Sequence, residues 1–434
     1  MTLVQIGVLG CILMLLLLFG SMPVAFAMGV IGICGFAVAV SGRAAMSILT
    51  ADMFDSFASY SLTVIPLFVF MGQVAFHAGI SGRLFAAANS WLSSLRGGLA
   101  MATVGACAAF GAICGSGPAT AATMAAVALP EMKKYKYDDA LASGTVAAGG
   151  GLGMLIPPSV VFIVYGVLTE QSIGKLFMAG ILPGILVAMA FCLTIAIQCA
   201  LKPELAPATR SVPLAERFKA LLGVAEMVAL FLFVMGGIFA GWFTPTEGAA
   251  VGAAGSVVIA ACGGNCSWKM LFRAAQETIR TSCMVLVIVA GATMFGHFLA
   301  ITNIPTNFAT WLAALPVAPW IVVLMIMLFY LFAGCFVDAL ALILLTIPIF
   351  YPVVTEKLGY DPIWFGVMIV LVTQMGVITP PVGVNAYVVS GIDRSISLET
   401  VFRGCMPFLI ALVGVSVLLV LFPEIVLWLP NNMK

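Results

Sequence analysis

The residues best suited to chemistry fall in four short clusters. Gly115-Ser116-Gly117-Pro118, followed by Thr120 and Thr123, places hydroxyls around a helix-breaking tip. Ile156-Pro157-Pro158-Ser159 and Thr379-Pro380-Pro381-Val382-Gly383, with Asn385, set polar groups beside paired prolines. Gly334 and Asp338 form the fourth cluster, and Asp338 is the only charge between Thr281 and Thr355. Two adjacent prolines remove two amide donors and clash with the preceding turn. A helix carrying such a pair is discontinuous, with free carbonyls on one side of the break and free amides on the other. Free amides at a helix N-terminus attract anions. Carbonyls, hydroxyls and a carboxylate suit a hard cation such as Na⁺. The expected anion-binding residues are Ser116, Gly117, Pro118, Thr120, Pro157, Pro158, Ser159, Pro380, Pro381 and Asn385. The expected Na⁺ residues are Gly115, Ser116, Gly334, Asp338, Thr379 and Gly383. The competing reading of Asp338 is an interfacial carboxylate that caps a helix; that of the small hydroxyl residues is close helix packing.

Covalent chemistry has little to work with. A hydrolase inside a membrane needs a Ser-His pair, paired acids or a zinc set. His77 and His297 are isolated, and the 11 cysteines are mostly scattered through apolar runs without a C-x-x-C pair. An enzyme or a purely structural membrane scaffold is therefore the remote alternative. No phosphate-cradling G-x-x-x-x-G-K-[ST] loop occurs, so energy must come from an ion gradient or another subunit.

The elements that position these clusters follow from composition. Of 434 residues, 63% are hydrophobic and 8% charged, and the mean hydropathy is +1.20. A soluble domain carries about 25% charged residues, so the chain belongs in a lipid bilayer. The net charge of +1 leaves no basic patch for nucleic acid. Charge-free intervals run 1–42, 56–82, 97–130, 140–169, 176–201, 227–246, 248–268, 281–337, 362–392 and 404–423. A spanning helix takes about 20 apolar residues. The first interval fits two spans broken near Gly20-Ser21-Met22-Pro23, and it lacks the basic start of a cleaved signal. Residues 97–130 and about 318–355 instead predict re-entrant hairpins. Their tips must be buried in protein or line a wet cavity. Residues about 140–170 and 362–391 predict Pro-Pro-broken helices.

An offset of 223 takes Gly29 to Gly252, Tyr137-Asp138 to Tyr360-Asp361, Gly153 to Gly376, Pro157-Pro158 to Pro380-Pro381 and Ser172-Ile173 to Ser395-Ile396. Residues 1–222 and 223–434 then read as two repeats joined by a polar linker, 201–220. Each holds three spans, a hairpin, a broken span and a final span. Five crossings per repeat make the second repeat inverted and give about ten spans in all. With the N-terminus outside, 14 of the 18 basic residues fall on the inner side, the four exceptions being Arg43, Lys175, Lys357 and Lys434. That is the bias of the positive-inside rule, and it places both termini outside. Inverted repeats with paired broken helices are the plan of secondary transporters, with sites near the bilayer midplane.

Other signals read as structure. Thr244-Pro245-Thr246-Glu247 is a capping box with proline at the first helical position. Lys133, Lys134 and Lys136 mark orientation, and both histidines sit in packed spans. Segments 79–97 and 267–280 join Trp to Lys or Arg, as in helices lying at the headgroup level; there they would brace a mobile part.

The chain resembles the large membrane (M, DctM-like) subunit of the tripartite ATP-independent periplasmic (TRAP) transporters. The carrying residues are Gly241-Trp242-Phe243-Thr244-Pro245-Thr246-Glu247-Gly248-Ala249-Ala250-Val251 and Ile156-Pro157-Pro158-Ser159 with Tyr165-Gly166 and Ser172-Ile173-Gly174. Ala179-Gly180-Ile181-Leu182-Pro183-Gly184 and Thr379-Pro380-Pro381-Val382-Gly383-Val384-Asn385 complete the set. The likeness covers essentially the whole chain. Gly248 departs from the family's usual Ala, and the tip at Gly115–Thr120 is a variant of a Ser-richer one. The resemblance implies Na⁺-driven uptake of organic acids such as C4-dicarboxylates, sialic acid or oxo acids across the bacterial inner membrane. It implies delivery by a periplasmic binding protein, a small four-helix (Q) subunit, here as a separate chain, and an elevator-type motion. A stand-alone Na⁺ or H⁺ coupled carboxylate carrier is the alternative.

Overall fold

The computed structural model describes residues 2–207, 213–313 and 317–432. Arg210 and Lys434, which enter the charge distribution above, lie outside the described residues. The described residues form helices and turns, with no strand among them.

Among the described residues, six helical segments are long and apolar enough to cross a bilayer: Asp139–Leu168, Ile173–Leu201, Pro245–Cys262, Trp268–Ile301, Ala339–Lys357 and Leu398–Leu421. Two bent pairs raise the number to eight: Gly42–Ala58 with Ser61–His77, bent by 52°, and Leu214–Leu222 with Ala225–Phe239, bent by 53°. The ten spans expected would also take in shorter apolar helices. Leu3–Phe19 and Val24–Ala39 have 17 and 16 residues, at or below the short end of the usual range of about 17–25.

Three differences from the expected layout have local causes. Segment 267–280 is not a separate interfacial helix. Ser267 caps a single helix that runs from Trp268 to Ile301, and no Gly or Pro interrupts it near Arg280. The linker 201–220 contains the helix Leu214–Leu222, amphipathic by its spacing of Leu and Phe218 against Glu216, Arg217 and Lys219. Residues 42–58, too charged to read as a span, are helical behind a Ser41 cap whose hydroxyl accepts from the Ala44 amide. The capping box at Thr244 forms as expected, with the Glu247 carboxylate accepting from the Thr244 amide at 2.8 Å.

The elements around the four clusters carry matching features 223 residues apart. Asp138 caps helix Asp139–Gly150 and Asp361 caps helix Pro362–Gly376, each carboxylate accepting from two amides. Each helix then breaks at a cis Pro-Pro bond, Pro157-Pro158 and Pro380-Pro381, and resumes as Val160–Leu168 and Val384–Ile392. Helices Gly98–Cys114 and Pro319–Gly334 cross these broken helices glycine on glycine. A Cβ at Gly111 would lie 2.7 Å from the Gly153 Cα, and one at Gly376 would lie 2.7 Å from the Gly334 Cα. Bare backbones allow that approach. The serine pair does not keep the offset. Ser172 caps Ile173–Leu201, but its counterpart at the start of Leu398–Leu421 is Ser397, not Ser395.

Side-chain contacts also join the segments before and after residue 222. Lys133, at the end of helix Gly117–Lys134, donates to Asp393 Oδ2 and Ser395 Oγ. Gln171 donates to the Tyr351 hydroxyl at 3.1 Å. Lys133 thus has a specific partner beyond its value as an orientation signal. The hydrogen bonds from Lys133 and Ser395 hold the Asp393 carboxyl below the ordinary carboxylate range. A lowered native value stabilises the fold above the unfolded value of about 3.9 and is lost as pH falls through the native one. Asp393→Asn is therefore expected to lower the melting point at pH 7. The loss is of the order of 0.5 kcal/mol, as for a partly exposed pair. The gap to the parent should close on acidification below about pH 4; melts of both proteins across that range measure it.

Candidate functional site

Glycine decides the shape of the first tip. Helix Gly98–Cys114 ends at Gly115, whose φ of +66° is left-handed and whose Cβ would lie 2.6 Å from the Pro158 carbonyl oxygen. A side chain would oppose both the backbone conformation and the contact. The tip is thereby seated on the first Pro-Pro break, and the Val160 amide donates to Gly115 O at 3.3 Å. Ser116 follows in extended conformation and caps helix Gly117–Lys134 without using its hydroxyl for the cap. That leaves amides of the first turn, beside Pro118, open toward the site.

The second tip is built differently. Helix Pro319–Gly334 ends on Cys335, whose carbonyl accepts from the Val382 amide at 3.2 Å, seating this tip on the second break. Asp338 caps helix Ala339–Tyr351, its Oδ2 accepting from the Leu340 amide at 3.1 Å. Asp338 is an exposed residue, and besides capping the helix it lines the cavity between the two tips.

Both tips open on one cavity of ≈ 280 Å³. The first hairpin contributes Cys114 to Ala119, the first break Met154, Val160 and Val161, and the second tip Asp338, Ala339 and Leu340. The opposite wall comes from helices Val64–His77 and Trp268–Ile301, through Val69, Gln73, Thr281, Met284 and Val285. Among the described residues, no Lys, Arg or His lines it.

Of the residues expected to bind, Gly115, Ser116, Gly117, Pro118 and Asp338 meet at this cavity. The others do not line it. Thr120 donates to Ser116 O at 2.8 Å, and buried Ser159 donates to Met154 O while accepting from the Phe162 amide. Thr379 donates to Met375 O at 2.7 Å, and Gly334 packs on Gly376. Gly383 has a φ of +57° and faces the Phe402 ring. Asn385 is fully buried, its side-chain amide donating to Ala147 O in the other half at 3.1 Å. Thr123 is also buried. Pro157, Pro158, Pro380 and Pro381 form the breaks without lining the cavity.

Gln73 and Thr281 were not among the expected site residues. Nothing local marks them, since both sit inside ordinary helical runs. The histidines lie in helices Val64–His77 and Trp268–Ile301 and pair across helices, His77 with Glu277 at 3.3 Å and His297 with Asp52 at 2.9 Å.

Comparison with known proteins gives a consistent result. The family model for the tripartite ATP-independent periplasmic transporter, DctM component, matches residues 11–425. The C4-dicarboxylate TRAP transporter large permease protein DctM of Pseudomonas aeruginosa is 37% identical over 391 residues, covering 88% of this chain and 89% of that protein. The sialic acid TRAP transporter large permease protein SiaM of Vibrio cholerae is 33% identical, covering 96% of each. The isethionate TRAP transporter permease protein DctMQ of Oleidesulfovibrio alaskensis is 33% identical over 94% of this chain, which spans only 64% of that longer protein. In structure, the YdaH transporter of Alcanivorax borkumensis aligns at a TM-score of 0.58 with 15% identity, over 88% of this chain and 89% of that one, a likeness of fold.

Proposed function

Because the chain belongs to the DctM component family of the tripartite ATP-independent periplasmic transporters, we propose that it is the translocating subunit of a Na⁺-coupled importer of organic acids. The family's members are transport permeases, not enzymes. The observation that carries the Na⁺ coupling is the charge of the cavity. It offers an anion the open first turn at Gly117, yet it also presents the Asp338 carboxylate and no basic residue among the described ones. Two unit charges 4 Å apart repel by about 1 kcal/mol in water and about 4 kcal/mol at an effective dielectric of 20. A co-bound cation turns that repulsion into attraction. The anion then enters well only with its ion, which is the thermodynamic basis of coupling. Oxygens of Asp338, Ser116 and Gly115 are at hand for Na⁺.

The wider assembly follows the family. A periplasmic binding protein delivers the acid, and a small Q subunit completes the membrane part. Two inverted repeats of about five spans each hold both termini on the periplasmic side of the inner membrane. The hairpins and broken helices move together past the remaining helices as an elevator. Purified subunits in liposomes, with the binding protein added outside, are expected to accumulate a C4-dicarboxylate, sialic acid or an oxo acid under an inward Na⁺ gradient. Equal uptake without the binding protein would instead make the chain a stand-alone carrier. Equal uptake without Na⁺ would remove the coupling.

A further inference from the structure

The cavity has two chemically unlike walls. The hairpin wall supplies the open helix start and Asp338; the opposite wall is apolar at Val69, Met284 and Val285 except for Gln73 and Thr281. Thr278 and Thr293, on the same helix as Thr281, each donate back to the carbonyl four residues earlier. That is the ordinary fate of a threonine hydroxyl in an apolar helix. Thr281 makes no such bond, and the Gln73 amide has no hydrogen-bond partner among the described residues. Next to Gln73, a Cβ on Gly72 would stand 2.9 Å from the Cys114 Cα, so helix Val64–His77 packs on the first hairpin through Gly72, while Gln73, turned by about 100° around the helix, lines the cavity. Polar side chains held at the wall of a mostly apolar pocket, with their donors uncommitted, are what fixes a ligand's orientation and identity.

We infer that Gln73 and Thr281 read the far end of the substrate, donating from amide and hydroxyl to its second acceptor group. The assignment rests on the organic-acid reading of this site and adds the part of the substrate that the hairpins do not touch. One carboxylate lies at the Gly117 helix start, and the molecule extends toward the opposite wall. The volume of ≈ 280 Å³ is just below the range of about 300–1,000 Å³ that holds drug-sized ligands. The fitting ligand is a short acid with an oxygen acceptor at each end. A site that hydrogen-bonds a substrate group rejects analogues lacking it far better than an apolar site rejects one carrying it.

The test is ligand-induced thermal stabilisation of the purified assembly in Na⁺, without the binding protein, so that the binding protein's own selectivity does not enter. Succinate, malate and 2-oxoglutarate are titrated beside butyrate, which matches succinate in length but lacks the second acceptor. The parent is expected to bind the two-ended acids at least tenfold more tightly than butyrate. The double variant Gln73→Leu, Thr281→Val is expected to lose most of that preference through weaker binding of the two-ended acids, with butyrate unchanged. Gln73→Glu, which adds a like charge at the far end, is expected to weaken the two-ended acids further still. An unchanged preference in the folded double variant overturns the assignment of these two residues. A parent stabilised by none of the acids overturns the organic-acid reading and this inference with it. Stabilisation of the parent by butyrate as strong as by succinate overturns the far-end recognition alone.

Discussion

Asp338→Asn is expected to cut Na⁺-driven uptake about 100-fold while leaving the protein folded, a loss of roughly 2.7 kcal/mol at 1.36 kcal/mol per decade. The substitution separates the two tasks of this residue. Asn is as good a helix cap as Asp, and its side-chain oxygen can still accept from the Leu340 amide, so the turn at the second tip survives. The negative charge does not. If Asp338 serves only as a cap, Asn restores transport and Ala impairs it. If it supplies the charge that recruits the coupling ion, Asn and Ala fail alike, and the dependence of the residual uptake on Na⁺ weakens. Initial rates of acid uptake against external Na⁺, for parent and both variants at equal protein in the membrane, decide between these outcomes. Parental rates and Na⁺ dependence in Asp338→Asn would sink the coupling role.

Gly404→Val is expected to prevent the protein from folding. Helix Leu398–Leu421 crosses helix Asp139–Gly150 backbone to backbone. A Cβ at Gly404 would stand 1.8 Å from the Ala140 carbonyl oxygen and 3.1 Å from the Gly144 Cα. Nothing there is the yielding end of a long side chain, so the helices must part. Overpacking of a core costs about 1–3 kcal/mol where side chains can adjust, and two rigid backbones exceed that. The same helix carries its own control, since Gly414 has open space where its Cβ would lie. Gly414→Val should therefore yield monodisperse protein in size-exclusion chromatography, whereas Gly404→Val aggregates or is degraded. Equal behaviour of the two variants would mean that this crossing is not a critical contact of the fold.

Much of the layout was legible in the chain because its signals are local. A Pro-Pro pair breaks any helix that contains it, and Asp138 and Asp361 stand one residue before helices that they cap. Gly115 and Asp338 mark tips because one permits a left-handed turn and the other satisfies free amides. The scarcity of charge excluded a soluble enzyme, and the offset of 223 matched the Asp caps and the Pro-Pro breaks. What went astray was also local in kind. Segment 267–280 has the composition of an interfacial helix, yet helix continues through Arg280 since nothing in its backbone stops it. Residues 42–58 carry charges that hide a helix, one whose Asp52 finds His297 on a distant segment.

The sequence alone determined which residues break helices, which cap them, and that the chain lives in lipid, since those properties depend on a residue and its near neighbours. Only the tertiary structure decided which of the polar groups share a cavity. It turned Thr120, Ser159, Thr379 and Asn385 inward to satisfy backbone carbonyls. It also brought Gln73 and Thr281, unremarkable in their own helices, to face Ser116 and Asp338. The physical reason is that a hydroxyl or amide in a helix has two outlets, a nearby carbonyl or a partner across the interface. The choice is set by where the neighbouring helices cross, at Gly72, Gly111 and Gly153, and not by the residue itself.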